Sequence, residues 1–467
     1  MFQTVEKPRV AALGLTLELY RDAFPGYMER LQAQFDRFLG EMDGLAVMER
    51  RRLCCRHEEI AAEIASAEAA SLDALLIVPL SYTASMTSAL SFSRTALPVI
   101  IWNTQEALTV DASYSHDDLV MNHVTQGTQD VTNVLVRAGK RFGMESAHYQ
   151  DKAALARLGE WLRAARAARF ARGARAGLLG QPFQDMGDFG VDETLMAVRW
   201  GPSVIRLSPS RLVALLREVE EGAVSEIVAQ DQERFDISPE VTEEIHRISC
   251  RLELALRALV RENRLDALSM NFRELMSDDR LPTLPFFGLN KLLGEGLGYA
   301  GEGNAVTAAH MAQVRQLCGI ANFTEIYTVD FVRNRGVMTH MQECNPALAR
   351  RDRKIRLVRK EFWAPGVSPY VGMHFTLEPG PVTLSTVTTD AGGEFYYLTY
   401  ETRIPDMEPF ASFDIPHWLI ELNEPIGDFL TRYSLAGGTH HLVSTPGHHA
   451  SGLRKLACLQ GFECRGI

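Results

Sequence analysis

Short apolar runs separated by helix-length stretches dominate the first third of the chain, and this alternation constrains the fold more than any other feature. The runs are RVAALGL at 9–15, ALLIVPL at 74–80 and PVIIW at 98–102. Between them, Pro25 to Gly40 and Glu58 to Ala69 read as helices, the second with Ile60, Ala61 and Ile64 on one side. Parallel strands need a long crossover connection, which a helix supplies, so the pattern predicts a parallel sheet with crossover helices.

From Asp151 the pattern stays helical, ending in RAARAARFARGARAG with Arg163, Arg166, Arg169 and Arg172 on one slowly drifting helix face. Such a stripe suits a bound anion, or a solvated or subunit-facing helix before a boundary. A strand-like AGLLG follows, which places a boundary near 173. Further on, Ser238 is placed to cap a helix, Pro239 suits its first turn, and Ile245, Ile248, Leu252, Leu256 and Leu259 recur at three- and four-residue steps. ALSMNF at 267–272 reads as the next strand, giving a second α/β unit. Beyond about residue 319, MHFTLEPG, PVTLSTVTTD and EFYYLTYETRI are β-branched and aromatic segments split by Gly-Pro and Gly-Gly, the signature of antiparallel strands. The expected fold class is α/β, with two Rossmann-like parallel-sheet domains at 1–172 and 173–318 and a β-rich antiparallel C-terminal domain at 319–467.

Composition narrows the function. With 467 residues and 46% hydrophobic content, the chain has material for a large core and several domains. Its 48 basic and 59 acidic residues give a net charge of −11, which disfavours a nucleic-acid partner and suits a protein acting on small molecules. Cys54, Cys55, Cys250, Cys318, Cys344, Cys458 and Cys464 form no CxxC and read as reduced thiols, so a cytoplasmic location is expected. The first residues lack the marks of a signal peptide, and no apolar run reaches membrane-spanning length, so no membrane partner is expected.

Four segments carry residues able to do chemistry: Gly301-Glu302-Gly303-Asn304, Thr324-Glu325-Ile326-Tyr327, Thr339-His340-Met341 and Gly437-Gly438-Thr439-His440-His441. Carboxylates and imidazoles in small or polar settings are the ligand set of a hard-to-borderline divalent cation such as Mn²⁺. Taken singly, Glu302 and Glu325 also suit a surface, His340 suits a hydrogen-bonded core position, and the His440-His441 pair suits a turn. A formal GxGxxG at Gly296, Gly298 and Gly301 follows GLNKLLGE, which looks helical, whereas a dinucleotide fingerprint needs a strand before it. No nicotinamide cofactor is expected; these glycines let the backbone turn and present Glu302. His448-His449 after Pro446-Gly447 reads as a turn, Cys54, Cys55 and His57 lack a second ligand pair, and Cys344 lacks an orienting base.

LPFFGLNKLLGEGLGYAGEGNAVTAA, FTEIYTVDF, MTHMQECNP and AGGTHHLVS resemble signatures of the L-arabinose isomerase family. The likeness extends in the same order to LGLTLELYRDAFPG, PVIIWNTQ and MNHVTQGTQD. L-fucose isomerases share the architecture and the carboxylate pair. The resemblance implies a sugar isomerase whose metal ligands are Glu302, Glu325, His340 and His441, with Mn²⁺ the typical ion and Co²⁺ or Mg²⁺ as alternatives. It gives Glu302 and Glu325 the catalytic proton transfers and places His440, rather than His441, in the pocket. His440, Asn304, Met341, Glu18, Gln126 and Gln129 form the expected substrate-binding set. It also implies a homo-oligomer, a trimer or hexamer.

Two departures fall at sugar-binding positions. After GEG the family usually carries an acid followed by Trp and Lys, and this chain has Asn304, Ala305 and Val306. Where the family places a His-Gly reaching the sugar, this chain has Thr125 and Thr128 flanking Gln126 and Gln129, with His123 or Gln129 as substitutes. The expected activity is aldose–ketose isomerisation through a cis-enediol on a sugar other than plain L-arabinose. The alternatives are epimerisation of a related or acidic sugar, and a non-catalytic sugar-binding homologue.

Overall fold

The computed structural model describes residues 5–362 and 367–467. The chain divides into two compact units, one holding Glu6–Phe170 with Ser451–Phe462 and the other Ala171–Ala450 with Glu463–Ile467. In the first, strands β1 (Arg9–Leu15), β2 (Val47–Cys54), β3 (Ala74–Pro79), β4 (Val99–Asn103) and β5 (Phe142–Ser146) form one parallel sheet in the order β2-β1-β3-β4-β5. That is the flavodoxin-like order of doubly wound folds. The strand period of two sends Val10, Ala12, Leu76, Val78 and Ile100 to a core with Phe35, Phe38 and Leu158. The alternate residues Ala11, Leu13, Leu75, Ile77 and Val99 meet Ile60, Ile64 and Phe92 on the other face. This two-sided burial explains why the apolar runs lack polar alternation. The edge strand β2, VMERRRLC, is largely exposed, and its charged sequence gave no such signal.

The second unit begins with β6 (Arg175–Leu179), β7 (Ser203–Leu207), β8 (Asp236–Ile237), β9 (Ala267–Met270) and β10 (Gly298–Gly301). Of these, β10-β9-β6-β7 form a second parallel sheet. Then follow β11 (Asn322–Asp330), β12 (Arg335–Thr339), β13 (Arg356–Lys360), β14 (Tyr370–His374), β15 (Gly380–Thr389), β16 (Phe395–Ile404), β17 (His417–Glu421), β18 (Leu442–Pro446) and β19 (Glu463–Gly466). Seven strands are ordered β15-β18-β11-β12-β17-β16-β19, and β15 also pairs with β16, closing a barrel-like, mainly antiparallel ring. Leu384, Leu398, Met338, Trp418, Ile420 and Leu442 fill its core. The protein thus combines two parallel α/β sheets with an antiparallel β-rich region, and the second sheet and the β-rich region share one unit.

The long central helix spans Glu243–Glu262, with Leu252, Leu256 and Leu259 buried. It starts later than Ser238 and Pro239 suggest. The Ser238 N–H donates to the Leu357 carbonyl beside the β8–β13 pairing, so Thr242 takes the capping role and accepts from the Ile245 N–H. Among the described residues no helix is long and apolar enough to cross a membrane.

Candidate metal centre

Register across the barrel-like sheet sets the site. Glu325 on β11 lies opposite Thr339 of β12, while Thr324 lies opposite Leu442 of β18. His340 follows Thr339 and His441 precedes Leu442, so three adjacent strands deliver Glu325, His340 and His441 to one place. Glu302 arrives from the carboxyl end of β10, where parallel sheets place their ligand-binding groups. The Nε2 atoms of His441 and His340 lie 3.0 and 3.4 Å from Glu325 Oε1, and His441 Nε2 lies 3.5 Å from Glu302 Oε2.

The Gly-Glu-Gly segment is shaped by close approach. A Cβ at Gly301 would meet His340 Cε1 at 2.8 Å, and one at Gly303, whose φ is +80°, would meet Pro182 Cα at 2.5 Å. Glu302 itself has φ of 63°, a left-handed conformation that costs a non-glycine residue about 1–2 kcal/mol. Its carbonyl accepts from the Phe183 N–H at 2.9 Å, tying the 181–190 loop to the site. Strain of this kind is retained where the surroundings enforce it, commonly at functional sites.

Each flanking imidazole has a carboxylate behind it. His340 Nδ1 lies 2.7 Å from Glu343 Oε2, and Glu343 also accepts from the Tyr299 hydroxyl and the Gln342 N–H. Burial opposes charge on His340, but the charges of Glu343, Glu325 and Glu302 outweigh it and raise its pKa to about 9. His440, 38% exposed, places Nδ1 2.6 Å from Asp188 Oδ2 and Nε2 3.4 Å from Glu302 Oε2. Burial again opposes its charge; the bonds to Asp188 and Glu302 prevail and lift it to about 10. Burial likewise opposes ionisation of Glu302, yet hydrogen bonds from His440 and His441 hold its carboxyl far below the usual range. Phe189 stacks on the His441 ring at 5.7 Å, and Phe323 meets it edge-on at 4.8 Å.

These residues fit a divalent cation. Nε2 of the fully buried His441 faces both carboxylates, 3.0 Å from Glu325 Oε1 and 3.5 Å from Glu302 Oε2. Donor separations of 3.0–3.5 Å match the edge of an octahedron with bonds of about 2.1 Å, which is about 3.0 Å. Ligand atoms of Glu302, Glu325, His440 and His441 all lie within 4.8 Å of one another. A second group, Asp231, His246 and Cys250, differs, because the Lys291 ammonium stands 2.6 Å from Asp231 Oδ1 and supplies the positive charge there.

The structure brings together Glu302, Glu325, His340, His440 and His441, with the half-buried Met341 adjacent in sequence. Asn304 is fully buried and directed at His441 Nδ1 and Thr307. Glu18, Gln126 and Gln129 belong to the first unit: Glu18 pairs with Arg21 and Arg56, and both glutamines are exposed on the helix Thr125–Arg137. His123 Nε2 bonds the Tyr20 hydroxyl at 2.9 Å in the same unit. Sequence reasoning missed Glu343 and Asp188. A carboxylate three residues after His340 was a usable signal for the first; none marked the second, 252 residues from His440.

Residues 190–319 match the L-arabinose isomerase central domain and residues 320–463 the L-arabinose isomerase C-terminal domain. The chain belongs to the L-arabinose isomerase family. Relatives include the L-arabinose isomerase of a Nocardioides species, 24% identical over 75% of this chain and 71% of that protein. Those of Klebsiella pneumoniae and Yersinia pestis are each 23% identical, over 78% and 74% of this chain and 75% and 71% of theirs. Glu302 and Asn304 lie in the central-domain match, while Glu325, His340, His440 and His441 lie in the C-terminal one. Glu18, Gln126 and Gln129 precede both.

Proposed function

We propose that this protein is a divalent-metal-dependent aldose–ketose isomerase working through a cis-enediol, with Mn²⁺ the expected ion and Co²⁺ or Mg²⁺ as alternatives. The supporting observation is that residues drawn from both family matches converge, His441 and His340 Nε2 lying 3.0 and 3.4 Å from Glu325 Oε1 and His441 Nε2 3.5 Å from Glu302 Oε2. These four are the proposed ligands. A divalent ion held by them supplies Lewis acidity to the sugar carbonyl and makes the neighbouring C–H more acidic.

The chain's own groups supply the proton transfers. Glu302, held ionised, is placed to accept the proton from C2, and Glu325 to move a proton between O1 and O2. His440, oriented through Nδ1 by Asp188, directs Nε2 toward the carboxylates and is assigned to orient a sugar hydroxyl. The substrate is proposed to be an aldose other than plain L-arabinose, because the Thr125–Gln129 segment lacks the imidazole of the family pattern. A cytoplasmic homo-oligomer accords with the resemblance.

The test is a panel of pentoses, hexoses, deoxysugars and charged sugars incubated with Mn²⁺ and read by ketose formation. One aldose should be converted, chelation should stop the reaction, and Glu302→Gln or Glu325→Gln should abolish turnover in a folded chain. Wild-type rates in both variants would overturn the mechanism.

A further inference from the structure

We propose that Asn304 is a positioning residue that sets the tautomer of His441 and thereby keeps the metal exchangeable. The inference rests on the metal reading above and concerns a contact that reading does not use. The amide of Asn304 is held in one orientation. Its Oδ1 accepts from the Thr307 N–H at 2.9 Å, capping the helix Ala305–Cys318. Its Nδ2 lies 2.9 Å from both Thr307 Oγ1 and His441 Nδ1. The backbone N–H of Thr307 can only donate, so it fixes which end of the amide carries oxygen.

The consequence for His441 follows from donor counting. An amide nitrogen has only hydrogens to offer, so Nδ1 of His441 must accept. In the neutral ring the proton then resides on Nε2, the atom that faces Glu325 and Glu302. A metal-bound imidazole needs the opposite tautomer, with Nε2 bare and Nδ1–H donating to an acceptor behind it. His340 has that acceptor in Glu343, and His441 does not. Turning the Asn304 amide over would present Oδ1 to His441, but would set Nδ2 against the Thr307 N–H and lose the helix cap. Metal binding through His441 therefore works against the cap, and both groups are fully buried.

A carboxylate at this position removes the conflict. In Asn304→Asp one oxygen accepts from the Thr307 N–H and the other from His441 Nδ1–H, while the Thr307 hydroxyl turns to donate. Aspartate is as good a cap as asparagine. Loss of a partner behind a ligating histidine typically changes metal affinity about 10–100-fold, so the variant should gain at least about tenfold.

Two measurements test the proposal. Calorimetric titration of Mn²⁺ into the intact protein should give at least about tenfold tighter binding for Asn304→Asp than for wild type. Magic-angle-spinning ¹⁵N NMR of the histidine-labelled, metal-free protein at pH 8 should show His441 Nδ1 bare in wild type and protonated in Asn304→Asp. Equal or weaker Mn²⁺ binding by the variant overturns the proposal while leaving the metal reading intact, provided wild type binds. A protonated Nδ1 on neutral His441 in wild type overturns it independently of any metal. Absence of binding in both proteins removes the metal reading and this proposal with it.

Discussion

Glu343 is the residue whose alteration discriminates most sharply between a metal ligand and an ordinary core histidine at position 340. Its carboxylate is 2% exposed and accepts three hydrogen bonds, from His340 Nδ1, the Tyr299 hydroxyl and the Gln342 N–H. In Glu343→Gln the amide oxygen can still accept from His340 and Gln342, and the amide nitrogen can donate to the tyrosine oxygen. Packing is conserved, while the charge and the acceptor of the Tyr299 hydroxyl hydrogen are lost. That charge is the largest attractive contribution raising the His340 pKa from 6.5 to about 9, so it favours a positive charge on the ring side. A cation bonded at Nε2 draws on the same field, so Mn²⁺ affinity should fall about 10–100-fold, or about 1.4–2.7 kcal/mol. Calorimetric titration measures this directly. In a thermal melt at saturating Mn²⁺ the variant should lose the same increment of metal-induced stabilisation, measured against its own metal-free melt. A folded Glu343→Gln protein binding Mn²⁺ within about twofold of wild type would refute the assignment of His340.

Three further outcomes follow from the geometry. His440→Asn and Asp188→Asn should each lower kcat at least about tenfold with little change in Mn²⁺ affinity, whereas His441→Asn should lose the metal; the reverse pattern would exchange the roles of the two histidines. Gly303→Ala forces a Cβ to 2.5 Å from Pro182 Cα at a φ of +80°, and should destabilise the protein by at least about 1 kcal/mol in urea unfolding. His310 is fully buried, with Nε2 bonded to Ser385 and Nδ1 unpartnered, and burial pushes its pKa down to about 3. A depressed pKa means that the unfolded chain takes up the proton first, so this contribution is complete above about pH 6.5 and is lost as pH falls toward 3. The slope is about 1.4 kcal/mol per pH unit, or about 2 kcal/mol between pH 6.5 and 5; His310→Asn should remove that part of the pH dependence of unfolding.

How far the sequence revealed this molecule depended on whether the signal was local. Strands β1, β3 and β4 announced themselves because both faces are buried, and β15 and β16 through β-branched and aromatic runs. β2 was silent because an edge strand with exposed arginines looks like a loop. Ser238 misled because β-sheet pairing claimed it before it could cap a helix. At the site, Glu302, Glu325, His340 and the His440-His441 pair stood out by residue type and setting. Their supporting carboxylates did not: Glu343 is recognisable only beside His340, and Asp188 reaches His440 through chain folding alone. Asn304 is the sharpest case. Its position beside Glu302 suggested the sugar, while the helix that it caps turns its amide toward His441.

The central claim is that two carboxylates beside a divalent ion move a proton between C1 and C2 of an aldose. Conversion of the accepted sugar in D₂O, followed by NMR of recovered aldose and ketose, tests it most directly. The account predicts deuterium only at aldose C2 and ketose C1, dependent on the metal and absent in Glu302→Gln. Deuterium at C3 or C4, or isomerisation persisting in metal-free protein, would contradict it.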